Sequence, residues 1–168
     1  KLRQALASTV RVISEDLNIQ SKNKDNKSSD KFDFLELDDL NSKNDFIKAR
    51  AESDSKALKK KFSNDYIYKK NLPLNTSCKS LYAVAEKIRY ESLGVEMLKG
   101  IEKNLKDNYS QLIDLKRNDQ LKSKEDVSAS EAFELYMLKK FHNIKLNSLT
   151  TKMLSLWEKD FDQSIKEH

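Results

Sequence analysis

Glu86, Arg89 and Glu91 stand close together in a stretch free of proline, and they are the densest set of ionisable residues whose spacing invites a chemical reading. On a helix Glu86 and Arg89, three apart, share a face and can pair, while Glu91 turns to the opposite side. Carboxylates doing general acid–base work also need a cleft and a reacting group. The spacing supplies neither, so no residue is assigned a catalytic role. The pair reads either as a charged partner-docking site or as a partly buried ion pair that fixes helix register, and the second reading is favoured. The string Asp126-Val127-Ser128-Ala129-Ser130 matches the D-x-S-x-S pattern of oxygen-ligand Mg²⁺ sites. Such a string should follow a hydrophobic strand. Here it follows Leu121-Lys122-Ser123-Lys124-Glu125 and opens a helix, so Ser128 and Glu131 read as a capping box. One cysteine, Cys78, and two histidines, His142 and His168, cannot make a zinc centre without recruiting several carboxylates, and no metal-ligating or cofactor-binding residue is assigned in this chain. His142 is expected at a helix C-terminus, against the dipole.

Two lysine runs, Lys59-Lys60-Lys61 and Lys69-Lys70, flank Tyr66 and Tyr68. Basic residues interleaved with aromatics can track a nucleic-acid backbone. The net charge is only +5, from 32 basic and 27 acidic residues in 168, and the two signs are interspersed. A solvated helix face is therefore the better reading, and nucleic acid is not the expected partner.

The elements that position these residues are helical. Two glycines and one proline leave too little punctuation for hairpins and tight turns, and phosphate-cradling loops lack the clustered glycines they need. The fold class is all-α, a single bundle of about five helices. A first amphipathic helix spans about residues 1–17, with Leu6, Val10 and Ile13 on its stripe. Residues 18–30 are nearly all polar and read as a flexible loop. Phe32, Phe34, Leu35, Leu37 and Leu40 form either an extended segment or an irregular anchor. Asp45 caps a second helix ending near Asn64–Asp65, with a solvated Lys-rich face. Leu72-Pro73 then marks the join to a long central helix, about residues 77–113 and roughly 55 Å if unbroken. Its ~100° spacing puts Leu81, Val84, Ile88, Val95, Leu98, Leu105 and Tyr109 on one face, and Tyr82, Glu86, Arg89, Leu93, Met97, Gly100 and Asn104 on another. A helix through Phe133 to Phe141 and a last one from about Ser148 to Ile165, locked by Trp157, complete the bundle. Apolar stretches fall short of the roughly 20 residues that cross a bilayer, there is no secretory signal, and the single cysteine fits a reducing compartment, so a cytoplasmic location is expected.

The run Glu86, Arg89, Glu91, Gly94, followed in register by Gly100, Asn104 and Leu105, has the form E-x-x-R-x-E-x-x-G then G-x-x-x-N-L. This resembles the signature helix of the T subunit of aerobic cobaltochelatase, the CobT family, and the flanking helices agree with it over most of the chain. Both glycines sit within the helical pattern, where each costs about 1 kcal/mol against alanine, so close packing or a partner should compensate. The motif and contact residues are accordingly Glu86, Arg89, Glu91, Leu93, Gly94, Met97, Gly100 and Asn104.

The resemblance implies a non-catalytic domain of an ATP-dependent complex that inserts cobalt into hydrogenobyrinic acid a,c-diamide during cobalamin synthesis. Its partners would be an AAA+ ATPase subunit, which docks here, and a large catalytic subunit, with ATP, Mg²⁺ and Co²⁺ used by the complex. The sequence matches the N-terminal helical part of that family's T subunit. The acidic linker and C-terminal von Willebrand A-type domain have no counterpart in it. The alternative reading is a free-standing helical adaptor or nucleic-acid-binding module. A metal-dependent hydrolase ranks last, because its ligands have no place in the pattern.

Overall fold

The computed structural model describes residues 2–17, 42–115 and 123–167. The expected 18–30 loop and the apolar patch at 32–40 lie outside them. Among the described residues the chain is all-α, with no strand. The helices are α1 (Leu2–Ser14), α2 (Lys43–Phe62), α3 (Asp65–Lys70), α4 (Thr76–Met97), α5 (Lys99–Asp114), α6 (Ala129–Phe141), α7 (Ser148–Ser155) and α8 (Glu158–Lys166). None of them is long and apolar enough to cross a membrane.

Local chemistry sets the helix ends. Ser42 rather than Asp45 is the N-cap of α2. Its hydroxyl oxygen accepts from the Asp45 N–H at 3.2 Å while the Asp45 carboxylate accepts from the Ser42 N–H at 2.9 Å, a reciprocal capping box. Asn64 and Asn75 cap α3 and α4 through their side-chain oxygens. Ser128 caps α6 as expected, accepting from the Glu131 N–H at 3.2 Å. The Asp126 carboxylate meanwhile accepts from the Ser123 N–H at 2.8 Å, so the D-x-S-x-S string serves helix starts.

The expected central rod is two helices. Leu98 adopts an extended conformation (φ −141°, ψ 112°) and serves as both C-cap of α4 and N-cap of α5. Its N–H reaches the Gly94 carbonyl at 3.1 Å, and its own carbonyl accepts from Ile101 at 3.0 Å. A straight rod of ~55 Å would overrun α2, which is ~30 Å long. The break lets both halves lie against α2. It occurs between two glycines, where helix propensity is lowest. The last expected helix is likewise two, divided at Leu156–Trp157. The Trp157 indole N–H donates to the Val127 carbonyl at 3.2 Å, tying the α7–α8 corner to the start of α6.

The central element is α2, which packs against α1, α4 and α5, while α4 also packs on α6. The buried residues of α2 are mostly small, Ala49, Ala51, Ser53, Ser55 and Ala57 beside Asp54 and Leu58, and small side chains permit close helix approach. One core joins Val10 and Ile13 of α1, Leu58 of α2, Ile88 of α4, Leu105 and Tyr109 of α5, Leu135 of α6 and Met153 of α7.

Candidate functional site

Glu91 is fully buried, and it gathers four elements around one carboxylate. Ser55 of α2 donates to Oε1 at 2.5 Å, and the Tyr109 hydroxyl of α5 donates to Oε2 at 2.6 Å. His142, the C-cap residue of α6, sets its Nε2 3.7 Å from the same Oε2, and its ring stacks on Tyr109 with centroids 6.0 Å apart. His142 thus ends its helix as expected, but its imidazole is 2% exposed, and among the described residues Nε2 has no hydrogen-bond partner.

Burial governs the protonation of this cluster. It raises the Glu91 carboxyl above the ordinary range, against the charge of Lys87 and the two donated hydrogen bonds. It raises the Tyr109 phenol well above its usual value, reinforced by Glu91. It lowers His142 to about 4, helped by the charges of Lys106 and Lys87. The imidazole is therefore neutral near pH 7. With Glu91 and His142 side chains 1% and 2% exposed, no substrate reaches either, so the cluster locks helix packing.

Glu86 and Arg89 face elsewhere. The guanidinium grips Glu86 at 2.7 and 2.8 Å and donates to the Phe62 carbonyl at 2.7 Å, satisfying an acceptor at the end of α2. Ser63 also donates to Glu86. These contacts, hydrogen bonding from Arg89 first, hold the Glu86 carboxyl below its ordinary range. The pair fastens α4 to the C-terminus of α2, with the Arg89 side chain still 47% exposed.

The remaining motif residues divide at the Leu98 break. A Cβ on Gly94 would stand 2.4 Å from both Cδ atoms of Leu58, so this glycine permits close approach of α4 to α2. Asn104 donates to Asp54 Oδ2 at 2.7 Å, holding α5 to α2, and burial raises the Asp54 carboxyl against that bond and the charge of Arg50. Leu93 is half-buried. Gly100 is different: a Cβ there would meet nothing within 4 Å. Close packing inside the fold therefore explains Gly94 and does not explain Gly100. Met97 and Leu98 are 46% and 45% exposed beside it. A groove of about 430 Å³ opens at this point, lined by Ser8, Thr9 and Val12 of α1, Arg50 of α2, and Leu98 and Gly100. Val12 is 70% exposed.

The motif residues thus divide into a buried lock at Glu91, a helix-end clasp at Glu86 and Arg89, the contacts of Gly94 and Asn104 with α2, and a groove at the break. Sequence reasoning missed Asp54 and Ser55, which sit in a helix whose polar residues read as solvated. The available signal was the density of small residues around them. The partner of the Tyr109 hydroxyl was the other omission, since a buried phenol needs an acceptor. Among the described residues no group of three or more His, Cys, Asp or Glu could hold a metal ion.

The family model described as "Cobalamin biosynthesis protein CobT" matches residues 1–168. Neither the comparison with curated proteins nor that with solved structures gives a match.

Proposed function

The chain belongs to the CobT family of cobalamin biosynthesis proteins, and from that premise we propose that it is a non-catalytic helical domain of an ATP-dependent cobaltochelatase T subunit that docks the AAA+ subunit through the Leu98 groove. In this reading ATP and Mg²⁺ act on the AAA+ partner, Co²⁺ and the corrin ring are substrates of the large catalytic subunit, and the helical domain transmits contact between them. The observation that carries the docking surface is Gly100. A glycine in the first turn of a helix costs up to about 1 kcal/mol against alanine, and no close contact among the described residues compensates for it. Exposed Val12, Met97 and Leu98 around it supply apolar area for a partner.

The test is a titration of the full chain against the purified AAA+ subunit of the same organism, with and without ATP, comparing wild type with Gly100→Leu. An added Cβ at Gly100 meets nothing within 4 Å, so circular dichroism should be unchanged while affinity falls at least roughly tenfold. Unchanged affinity would remove the groove from the interface. Affinity that collapses with added salt would point to a polyanion-type contact instead.

A further inference from the structure

The short helix α3 buries none of its residues. Tyr66 and Ile67 are 74% and 54% exposed, and Leu74, just beyond the helix, is 98% exposed. Beneath α3, between the end of α2 and the first half of α4, lies a hollow of about 500 Å³ with Phe62, Ile67, Tyr82 and Ala85 in its walls. Lys69 and Lys70 follow Tyr66 and Ile67 at three- and four-residue spacing, which places them on the same flank. Lys59, Lys60, Asp65 and Tyr66 line a second hollow of about 610 Å³, which shares Asn64 with the first. Among the described residues Lys59, Lys69 and Lys70 have no ion-pair partner, whereas Lys60 and Lys61 are paired with Asp16 and Glu15.

We propose that this face is a second docking surface, which takes an acidic peptide segment of a partner protein that also carries apolar side chains. A partner apolar side chain seats in the hollow against Ile67 and Tyr82, and flanking carboxylates meet Lys59, Lys69 and Lys70. The chemistry favours a peptide over a nucleic acid. Tyr66 offers an exposed ring, but Ile67 and Leu74 are aliphatic, so the face gives successive bases no stacking platform. Tyr68 is already stacked on Tyr82, with centroids 5.0 Å apart. Neutralisation of Lys60 and Lys61 interrupts any continuous track for phosphates. None of these residues belongs to the Leu98 groove, so the two surfaces are separable.

The experiment is fluorescence anisotropy of the full chain with a short labelled peptide that alternates Glu with Leu and Phe. Saturable binding is expected, weakened at least roughly tenfold by Lys59→Glu/Lys69→Glu/Lys70→Glu and by Ile67→Asp, and unaffected by Gly100→Leu. All four substituted side chains lie at the surface or on its edge, and circular dichroism verifies the fold. Absence of saturable binding, or binding indifferent to those substitutions, overturns the proposal. Tighter binding of an oligo-dT strand than of the peptide would reassign the face to nucleic acid and overturn it as well. So would tighter peptide binding on neutralising Asp33, Glu36, Asp38 and Asp39, which would name the chain's own acidic segment as the occupant.

Discussion

At the scale of single residues, the two glycines of the motif have opposite roles, and substitution should separate them. Gly94→Ala drives a Cβ into Leu58, a fully buried side chain with little room to move. Overpacking of about 1–3 kcal/mol is set against the ~1 kcal/mol gain in helix propensity, so a net loss of up to about 2 kcal/mol is expected. Gly100→Ala meets no neighbour and should gain up to ~1 kcal/mol. Urea unfolding of the two variants reads both signs. The Glu91–His142 pair gives a pH signature with two opposed parts. His142 titrates near 4 when folded against 6.5 in its reference state, so the unfolded chain binds more protons between those values. Its contribution to stability is therefore complete above pH 6.5 and is lost on acidification to about pH 4, on the order of 3 kcal/mol. Glu91 is shifted upward from 4.5, so the folded state holds the extra proton, and stability falls as pH rises from 4.5 through the raised value. Each part is read against the variant that lacks it. The stability difference between wild type and His142→Gln should grow from pH 4 to 6.5, and that between wild type and Glu91→Gln should shrink as pH rises above 4.5.

At the scale of elements, α2 organises the fold, and its contacts explain which sequence readings succeed. The apolar stripe of α1 and the start of α6 are legible because periodicity and capping act locally. The Leu98 break is not legible. No proline marks it, and it exists because α4 and α5 must both lie along a shorter neighbour. The burial of Ser53, Asp54 and Ser55 is signalled only by the small residues around them, since their environment is supplied by helices distant in sequence. The Asn104–Asp54 bond is the sharpest case of such long-range control. Asn104→Ala leaves a buried carboxylate without its donor, so a loss of about 2 kcal/mol is expected in urea or thermal unfolding. Asn104→Asp should be worse, as it sets two carboxyl groups together.

At the scale of the whole molecule, the fold class and family were legible. Scarce glycine and proline exclude sheet architectures, and the E-x-x-R-x-E-x-x-G motif with its G-x-x-x-N-L continuation identifies the family that the model match bears out. What the motif residues do was less accessible, because a motif read along one continuous helix divides into separate arrangements once the rod breaks. The Glu91 lock, the Arg89 clasp and the Gly94 and Asn104 contacts hold the helices to one another. The groove around Gly100 faces outward, and it is the docking surface we propose. Hydrogen–deuterium exchange of the full chain with and without the AAA+ subunit tests that assignment most directly. Protection gained on binding should concentrate in peptides covering residues 8–13 and 97–104, with the α6–α8 region unchanged. Protection confined to other helices, or none at all under any nucleotide condition, would contradict it.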